Sequence, residues 1–437
     1  MPEPQAARRF IGYRTAVLMV IANMIGTGVF TTLGFQAQAV PDGAALLLLW
    51  ALGGLVALCG ALSYAELAAA LPRSGGEYHF LSRIYHPALG QLAGWVSVTV
   101  GFSAPIALAA MGLGRYVATV VPWDPMLVAL ATVLVMTALH AFDLGLGRGF
   151  QVGATLIKIA VIGLFCLAGL SVEPALGRLP LVPTARTLDL VLGAPFALAL
   201  IYVSYAYSGW NAAAYVVDEV QRPRRTVPRA LIHGTLAVTG LYLLLNLTFL
   251  RTVSEASLSG RVEVGALAAT HILGPEAGGL LSLSLSLLLA STISAMVLAG
   301  PRVLQAMGED IPSLRPLAAR NRRGAPTRAV LLQQGLAVAL ILTDSFEAVL
   351  TFAGFTLSLF ALLTVAGVMR LRRREPDLER PFRVPLYPLP PLVFVAISGV
   401  SLGVVAWDRP RTVAAVVVLV AALGLLLGRA GKSHRSH

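Results

Sequence analysis

Long apolar stretches fill most of this chain, and the polar loops between them are short. About 20 consecutive apolar residues are enough for a helix to cross a bilayer. The pattern therefore predicts an all-α polytopic membrane protein with about twelve transmembrane helices. The predicted spans are 15–35, 44–70, 88–120, 126–142, 150–171, 191–217, 229–250, 277–307, 329–343, 346–369, 390–407 and 412–428.

The first ten spans divide into two groups of five, each of which opens with a helix interrupted by glycine. Because five is odd, the second group must insert upside down relative to the first, which is the pattern of an inverted repeat. We therefore expect a 5+5 repeat, with repeat 1 at 15–171 and repeat 2 at 190–369. The basic, proline-rich connection 370–389 separates it from two C-terminal helices at 390–428, which have almost no polar interior residue.

The two interruptions are the strongest indication of a binding site. Gly26-Thr27-Gly28 interrupts the first span and Ser208-Gly209 the sixth. Backbone that leaves the helix at membrane depth persists only where it lines a cavity or meets a ligand. Gly26 and Gly28 can adopt the φ values that such a departure needs. A simpler alternative is that these two glycines are packing notches between helices.

The polarity of such a break suits a zwitterion. Free N–H groups at the start of the second half-helix favour a carboxylate. The carbonyls that end the first half-helix, around Asn23 to Ile25, favour an ammonium group. The second break adds hydroxyl, amide and aromatic side chains in the stretch 205–211, a mixture that simple packing does not require.

The distribution of basic residues between the loops predicts on which side of the membrane the termini lie. The chain is 57% apolar and 12% charged, with a net charge of +12. Most Lys and Arg residues fall on one side when the loops are assigned alternately to the two faces, so the tails 1–14 and 429–437 are predicted to be cytoplasmic in a cell (inner) membrane. The basic charge indicates topology and at most an attraction to anionic lipids. A nucleic-acid partner is not expected.

The sequence contains few residues that could form a disulfide or a metal site. Cys59 and Cys166 lie within apolar spans and predict no disulfide framework. His140, His233 and His271 have no neighbours at metal-ligand spacing, so neither a metal nor a cofactor is expected.

Two charged residues, Lys158 and Glu66, fall within predicted spans. Lys158 lies well inside the fifth span, where an ionisable group usually faces a cavity, although a lysine that extends to the surface is the alternative. Glu66 lies near the cytoplasmic end of the second span and is expected to be solvated or paired with an arginine. Spans one, three, six, eight and ten contain no mid-membrane Asp or Glu, which favours a neutral substrate side chain.

Four stretches resemble motifs of the amino acid-polyamine-organocation (APC) superfamily of transporters, namely 24–30, 63–78, 205–211 and 300–307. The stretch 205–211 is most similar to bacterial members of the L-type amino acid transporter branch. The resemblance covers nearly the whole chain. It implies a leucine-transporter-type fold that works by alternating access as a permease for amino acids, and no enzymatic activity.

The resemblance also implies individual roles. The backbone of Gly26, Thr27 and Gly28 corresponds to the carboxylate site, and carbonyls near Ile25, Tyr205 and Ala206 to the amine site. Tyr205 matches an aromatic gate, and Asn211 a support of the unwound segment. The predicted substrate-binding residues are Ile25, Gly26, Thr27, Gly28, Tyr205, Ala206, Ser208 and Asn211.

Lys158 matches a fifth-helix lysine that occupies the position of a sodium ion in sodium-coupled relatives. Its ammonium group would tie the fifth helix to the carbonyls of the first break. This implies sodium-independent transport and leaves exchange and proton symport open. Relatives with an accessory glycoprotein use a cysteine in the outer loop after the third span. Residues 121–125 contain none, so no disulfide-linked partner is expected.

Three alternatives remain open at this point. The first is an APC-type transporter of cationic amino acids or polyamines, and the second is a related protein that senses a ligand without moving it. The third is an intramembrane serine protease with Ser208 as nucleophile and His233 as base.

Overall fold

The computed structural model describes residues 11–142, 148–321 and 326–433. Within these ranges the chain is helical, and its extended contact is an isolated parallel bridge between Ile11 and Val220. The expectation of an all-α protein is confirmed for this part of the chain. Of the basic residues used to predict the topology, Arg8, Arg9, Arg322, Arg323 and Arg435 lie outside the described residues.

The α-helices have the following bounds. They are Tyr13–Met24 (α1), Gly28–Thr31 (α2), Leu33–Ala39 (α3), Gly43–Ala70 (α4), Glu77–Ile84 (α5), Pro87–Val96 (α6), Ser103–Ala118 (α7), Pro125–Phe142 (α8), Arg148–Ser171 (α9), Ala185–Val191 (α10), Ala194–Tyr207 (α11), Pro223–Thr252 (α12), Glu255–Leu258 (α13), Val264–Asp310 (α14), Arg315–Ala318 (α15), Thr327–Ile341 (α16), Phe346–Arg374 (α17), Leu389–Asp408 (α18) and Pro410–Ser433 (α19). A π-helix covers Ser97–Phe102, and 3-10 turns cover Ala212–Tyr215, Val217–Glu219 and Pro312–Leu314.

The helices agree with a protein that crosses a membrane many times. Over the described residues, seven helical segments are long and apolar enough to span a bilayer. The pair α10 and α11, bent by 67°, passes the same test together. Shorter apolar helices of 10–17 residues lie in α8, α9, α16 and α19. Every predicted span overlaps one of these helices, and the number twelve stays a prediction.

Three helices differ from the predicted spans. The sixth span is α-helical only as far as Tyr207 and then continues as 3-10 turns. α14 begins well before the predicted residue 277, because a separate helix precedes a break at Gly274, where φ is +82°. α17 continues to Arg374, so the predicted loop 370–389 begins within a helix. Arginine is a good helix former, and positive charge in a last turn complements the helix dipole.

The predicted third span contains a π-helix that sequence periodicity did not reveal. Pro105 lacks an N–H, so the carbonyl of Gly101 loses its usual partner four residues later. Ser103 Oγ donates to the carbonyl of Val98, five residues earlier, at 2.8 Å. This stretch places Gly101 and Phe102 at the wall of the central cavity. π-helical turns of this kind are frequent at functional sites.

Two of the four buried apolar clusters of the described residues contain the helices around the cavity. The larger contains buried residues of α1, α4, α11 and α12, and α4 packs along α12. The other contains residues of α7, α8, α14 and α16, and α7 packs along α14. Both interrupted helices belong to the first group. Their breaks face a cavity whose opposite wall comes from α7 and α14.

Glu66 helps to hold the end of α4 against the connection that follows α17. Its side chain is only 2% exposed, and it accepts hydrogen bonds from Arg372 Nε at 2.8 Å and Arg372 Nη2 at 2.6 Å. The backbone N–H of Val384 donates to the same carboxylate at 2.7 Å. Of the two expectations for Glu66, the arginine pair is therefore the one that the structure contains.

Candidate functional site

The first break begins where α1 ends at Met24. Ile25 leaves the helix with ψ of 77°, and α2 begins at Gly28. The N–H of Gly26 donates to the carbonyl of Met24 at 2.7 Å, which closes a tight turn. Neither Gly26 nor Gly28 has a positive φ. The expectation that these glycines are needed for unusual φ values was therefore wrong, because Ile25 makes the departure with ordinary torsions.

The second break does require a glycine. α11 ends at Tyr207, and Ser208 turns away with ψ of 148°. Gly209 then has φ of +100°, a region that side chains with a Cβ rarely adopt. A Cβ on Gly209 would also lie 2.6 Å from the carbonyl oxygen of Asn23. Backbone conformation and close approach to the first break both exclude a larger residue here.

The two breaks cross in direct contact. A Cβ on Gly28 would lie 2.4 Å from the Cα of Ala206, so the packing-notch interpretation is correct for Gly28. Gly26 differs, because a Cβ there would meet Thr292 Cγ2 at 3.6 Å, an ordinary contact distance. A Cβ at Gly26 would therefore fit without displacing its neighbours, whereas Gly28 lets the helices touch.

Tyr242 of α12 joins both breaks. Its hydroxyl lies within hydrogen-bond distance of the Met24 carbonyl and 3.0 Å from the carbonyl of Ala206. The ring packs edge-on against Trp50 and Tyr207. Sequence reasoning missed this residue. The available signal was a single tyrosine in the middle of the seventh span, since a buried phenol needs a hydrogen-bond partner.

Lys158 reaches the first break from α9. Its Nζ donates to the carbonyl of Ile25 at 3.0 Å and lies 3.1 Å from Thr292 Oγ1. The residue is 3% exposed, which excludes a lysine that extends to the membrane surface. No ion pair of the described residues includes it, so neutral oxygens surround its ammonium group. The contact joins the fifth span to the first break.

The carbonyls predicted to bind an amine already accept hydrogen bonds. Lys158 donates to Ile25, the Ser208 N–H donates to Tyr205 at 2.9 Å, and the Tyr242 hydroxyl lies close to Ala206. Each carbonyl has two lone pairs and retains capacity for one more donor. The predicted amine carbonyls therefore also serve to hold the breaks in shape.

A cavity of about 780 Å³ lies against both breaks. The predicted site residues that line it are Gly26, Thr27, Gly28, Tyr205, Ala206, Ser208 and Asn211. Ile25 and Lys158 do not line it and instead support the break from behind. The hydroxyl groups of Thr27 and Tyr205 lie 3.4 Å apart at its wall.

The cavity opens at the end of the bundle where α1 begins. We call this end the mouth; its residues include Asp218, Glu219, Arg302 and Arg320. Beyond the first break, outside the residues that line the cavity, Phe35 of α3 stacks on Phe346 of α17 at 5.9 Å between ring centroids. The structure therefore describes a state open to one side.

Asn211 makes a contact that the sequence did not suggest. Its Nδ2 donates to Glu77 Oε1 at 2.7 Å, and Glu77 itself lines the cavity. That the pocket helices contribute no mid-membrane carboxylate stays a prediction. Glu77 comes from the loop between the second and third spans, so this cavity does contain an acidic group. Among the described residues, no hydrogen bond joins Ser208 to His233, whose Nδ1 lies 2.6 Å from the Tyr13 hydroxyl.

An apolar helical bundle whose two broken helices cross at a cavity open to one side defines a membrane transport protein. The family model for amino acid permeases matches residues 11–427. The chain therefore belongs to the amino acid permease family of the APC superfamily, as the motif resemblance predicted.

Curated relatives agree over most of the chain. The serine/threonine exchanger SteT of Bacillus subtilis is 28% identical, over 92% of this chain and 92% of the relative. The b(0,+)-type amino acid transporter 1 of Mus musculus is 25% identical, over 89% and 80%. The large neutral amino acids transporter small subunit 2 of Oryctolagus cuniculus is 27% identical, over 93% and 77%.

These relatives are transporters, so the protein is not an enzyme. The alternative of an intramembrane serine protease is therefore rejected. The helices and the family together identify a multi-pass membrane protein.

Proposed function

We propose that this protein is a sodium-independent secondary transporter of L-amino acids, with small or medium neutral side chains, that works by alternating access. The observation that carries the proposal is the pair of crossed breaks at the inner end of a cavity that opens at one end of the bundle. Free N–H groups at the start of α2 and carbonyls of both breaks offer complementary partners for the two ends of a zwitterion. The predicted site residues that line the cavity keep their proposed roles, whereas Ile25 supports the first break from behind.

Lys158 supports the absence of sodium coupling. Its ammonium group lies between the fifth span, the Ile25 carbonyl and Thr292, where it already supplies a fixed positive charge. A sodium ion at the same place would meet strong electrostatic repulsion. Between exchange and proton symport, the name of the serine/threonine exchanger among the relatives favours exchange.

We infer the architecture that the spans suggest, with twelve transmembrane helices, repeats at 15–171 and 190–369, and both termini in the cytoplasm of a cell (inner) membrane. The two breaks support the repeat because they begin the corresponding groups of five. The mouth would then face the cytoplasm. Cys59 and Cys166 are both buried, and residues 121–125 lack cysteine, which supports a protein without a disulfide-linked subunit.

A second candidate substrate class is cationic amino acids or polyamines. The observation in its favour is the carboxylate of Glu77 at the cavity wall. Glu77 already accepts hydrogen bonds from three neutral donors, which leaves little capacity for a substrate. Neutral amino acids therefore remain the main proposal.

Purified protein in liposomes tests this proposal. Uptake of labelled serine, threonine, leucine and arginine is measured with and without internal amino acid, in sodium or choline buffer, and with a proton gradient. We expect saturable uptake of small neutral amino acids that does not depend on sodium. Uptake driven by sodium would refute the role of Lys158, and the absence of saturable flux would refute the main proposal.

A matched pair of variants connects flux to the site. Gly26→Ala adds a methyl group at the cavity wall, whereas Gly163→Ala adds one in α9 where no atom lies within 4 Å. Gly26→Ala is expected to raise KM or abolish uptake, and Gly163→Ala to transport like the wild type. Equal transport by both variants would contradict the proposed position of the substrate.

A further inference from the structure

The loop between α4 and α6 carries the motif Ser74-Gly75-Gly76-Glu77, which the proposed transport of neutral amino acids does not use. We call residues 73–78 the connecting loop, and residues 211–219, which follow the second break, the inner segment. Both line or border the cavity near its mouth. The two are joined by backbone and side-chain hydrogen bonds.

Backbone contacts hold the connecting loop against the inner segment. The N–H of Gly75 donates to the Tyr215 carbonyl and that of Gly76 to the Ala214 carbonyl, each at 3.3 Å. Gly76 has φ of +53°, and a Cβ there would lie 2.6 Å from the Tyr215 ring. The second glycine of the motif is therefore required by the contact with the inner segment.

Ser74 and Asp218 strengthen this contact reciprocally. The Ser74 N–H donates to Asp218 Oδ2, and the Asp218 N–H donates to Ser74 Oγ, both at 3.0 Å. Because each residue donates to the other, sliding the connecting loop along the inner segment would break both hydrogen bonds.

Glu77 provides the central link. Tyr64 of α4 and Asn211 of the inner segment donate to its Oε1, each at 2.7 Å, and the Tyr215 hydroxyl donates to its Oε2. The residue is 6% exposed and belongs to no ion pair of the described residues. Hydrogen bonds to an ionised carboxylate are among the strongest in proteins.

The same loop also holds the opposite wall of the mouth. Asp310 at the end of α14 accepts hydrogen bonds from Arg73 at 2.8 Å and from the Tyr78 hydroxyl at 2.7 Å. The connecting loop thus lies between the inner segment, which continues from one break, and α14, which belongs to the other apolar core. The inner segment also meets α14 directly, since Glu219 Oε2 lies 3.8 Å from Arg302 Nη2. The position of the inner segment relative to α14 is therefore set by its contacts with the connecting loop and by this ion pair.

We propose that Glu77 is a positioning residue for transport, which fixes the inner segment to the connecting loop and thereby stabilises the state in which the cavity is open at the mouth. The inference rests on the proposed alternating access. Loss of the bonds to Glu77 shifts the equilibrium towards the state that is closed at the mouth. By the strength of charge-assisted hydrogen bonds, this shift is expected to be about tenfold.

Cysteine labelling measures this equilibrium without a substrate. The background is Cys59→Ala with Cys166→Ala, and the reporter is Ala299→Cys on the cavity wall of α14. A membrane-impermeant maleimide is applied from the mouth side. Glu77→Gln keeps the shape of the side chain but removes its charge and one acceptor oxygen, and is expected to slow labelling about tenfold.

Controls separate positioning from general damage. Glu379→Gln makes the same chemical change at an exposed carboxylate, and Asp377→Cys is an exposed reporter outside the cavity. Glu379→Gln is expected to leave the labelling of Ala299→Cys and the uptake unchanged. Labelling of Asp377→Cys is expected to be equal with and without Glu77→Gln. Tyr215→Phe removes only one donor to Glu77 and serves as the second variant if Glu77→Gln fails to fold. It is expected to slow labelling in the same direction by a smaller factor.

Transport kinetics supply a second readout. A shift between states raises the KM measured from the mouth side and leaves or lowers the KM from the opposite side, whereas a merely structural defect lowers Vmax alone. Unchanged labelling in both Glu77→Gln and Tyr215→Phe would overturn the inference, as would a Vmax loss without any change in KM. Labelling that slows in a protein with no amino acid flux would support the inference and refute the proposed function.

Discussion

The crossing of the two breaks leads to a prediction about two glycines only two positions apart. In Gly28→Ala, the new Cβ would lie 2.4 Å from the Cα and 2.6 Å from the Cβ of Ala206. Ordinary contact requires about 3.5 Å, so the backbones must separate by roughly 1 Å. Because the clash involves backbone rather than a flexible side chain, we expect a cost of about 3 kcal/mol, the upper end for overpacking.

The matched control is Gly26→Ala. Its Cβ would meet Thr292 Cγ2 at 3.6 Å, and neither glycine has a positive φ, so backbone strain contributes to neither variant. Gly26→Ala should be neutral or slightly stabilising, because alanine restricts the unfolded chain. The same substitution is thus expected to have opposite effects at Gly26 and Gly28.

Thermal unfolding of the purified proteins in one detergent measures the difference. From the size dependence of melting temperatures, Gly28→Ala is expected to lower Tm by roughly 3–6 °C. Gly26→Ala should melt within about 1 °C of the wild type while it loses transport, as argued above. A Gly28→Ala protein with the Tm of the wild type would refute the close crossing of the two broken helices.

Three further predictions follow from buried or shielded charges. Lys158→Met leaves the Ile25 carbonyl without its donor, so uptake in liposomes should fall at least about tenfold, and wild-type uptake would contradict its proposed role. Glu66→Gln weakens the pair with Arg372 and should lower the free energy of unfolding by about 2 kcal/mol. Its Tm should therefore be lower than that of an exposed Glu379→Gln control. Equal Tm values would exclude a stabilising pair. Burial, reinforced by the nearby Arg73, lowers the pKa of His79, in the loop helix α5, from 6.5 to about 4. The unfolded chain therefore takes up this proton first as pH falls, and stability is lost progressively between about pH 6.5 and 4. His79→Gln should lose less stability than the wild type between pH 7 and 5, and equal losses would show that His79 is not shielded.

Much of the architecture could be predicted because lipid imposes its requirements along the chain. A segment that crosses the bilayer must be apolar over about 20 residues and must satisfy its own backbone. The helices and the interruptions near Gly26 and Ser208 follow from this local rule, whereas the burial of Lys158 was one of two interpretations that the structure decided. Its precision is limited at helix ends, as the extension of α17 to Arg374 shows, since arginine continues a helix beyond the apolar stretch.

The candidate site was predictable only in part. Its main residues were recognisable because glycine, hydroxyl and aromatic residues are unusual together at membrane depth. The roles of Gly26 and Gly28 could not be distinguished, because the difference lies in what each Cβ would meet. Tyr242 and Glu77 were missed, since a tyrosine in one span and a glutamate in a loop have no sequence signal of their partners.

The sequence alone determined that the chain is a helical membrane protein with two interrupted spans and a lysine inside the fifth. Hydrophobic length and polarity are properties of consecutive residues and can be counted along the chain. The tertiary structure decided that Gly28 touches Ala206, that Tyr242 joins both breaks and that Glu77 holds the inner segment. These contacts depend on ångström-scale distances between residues far apart in sequence, which only the packing of the helices sets.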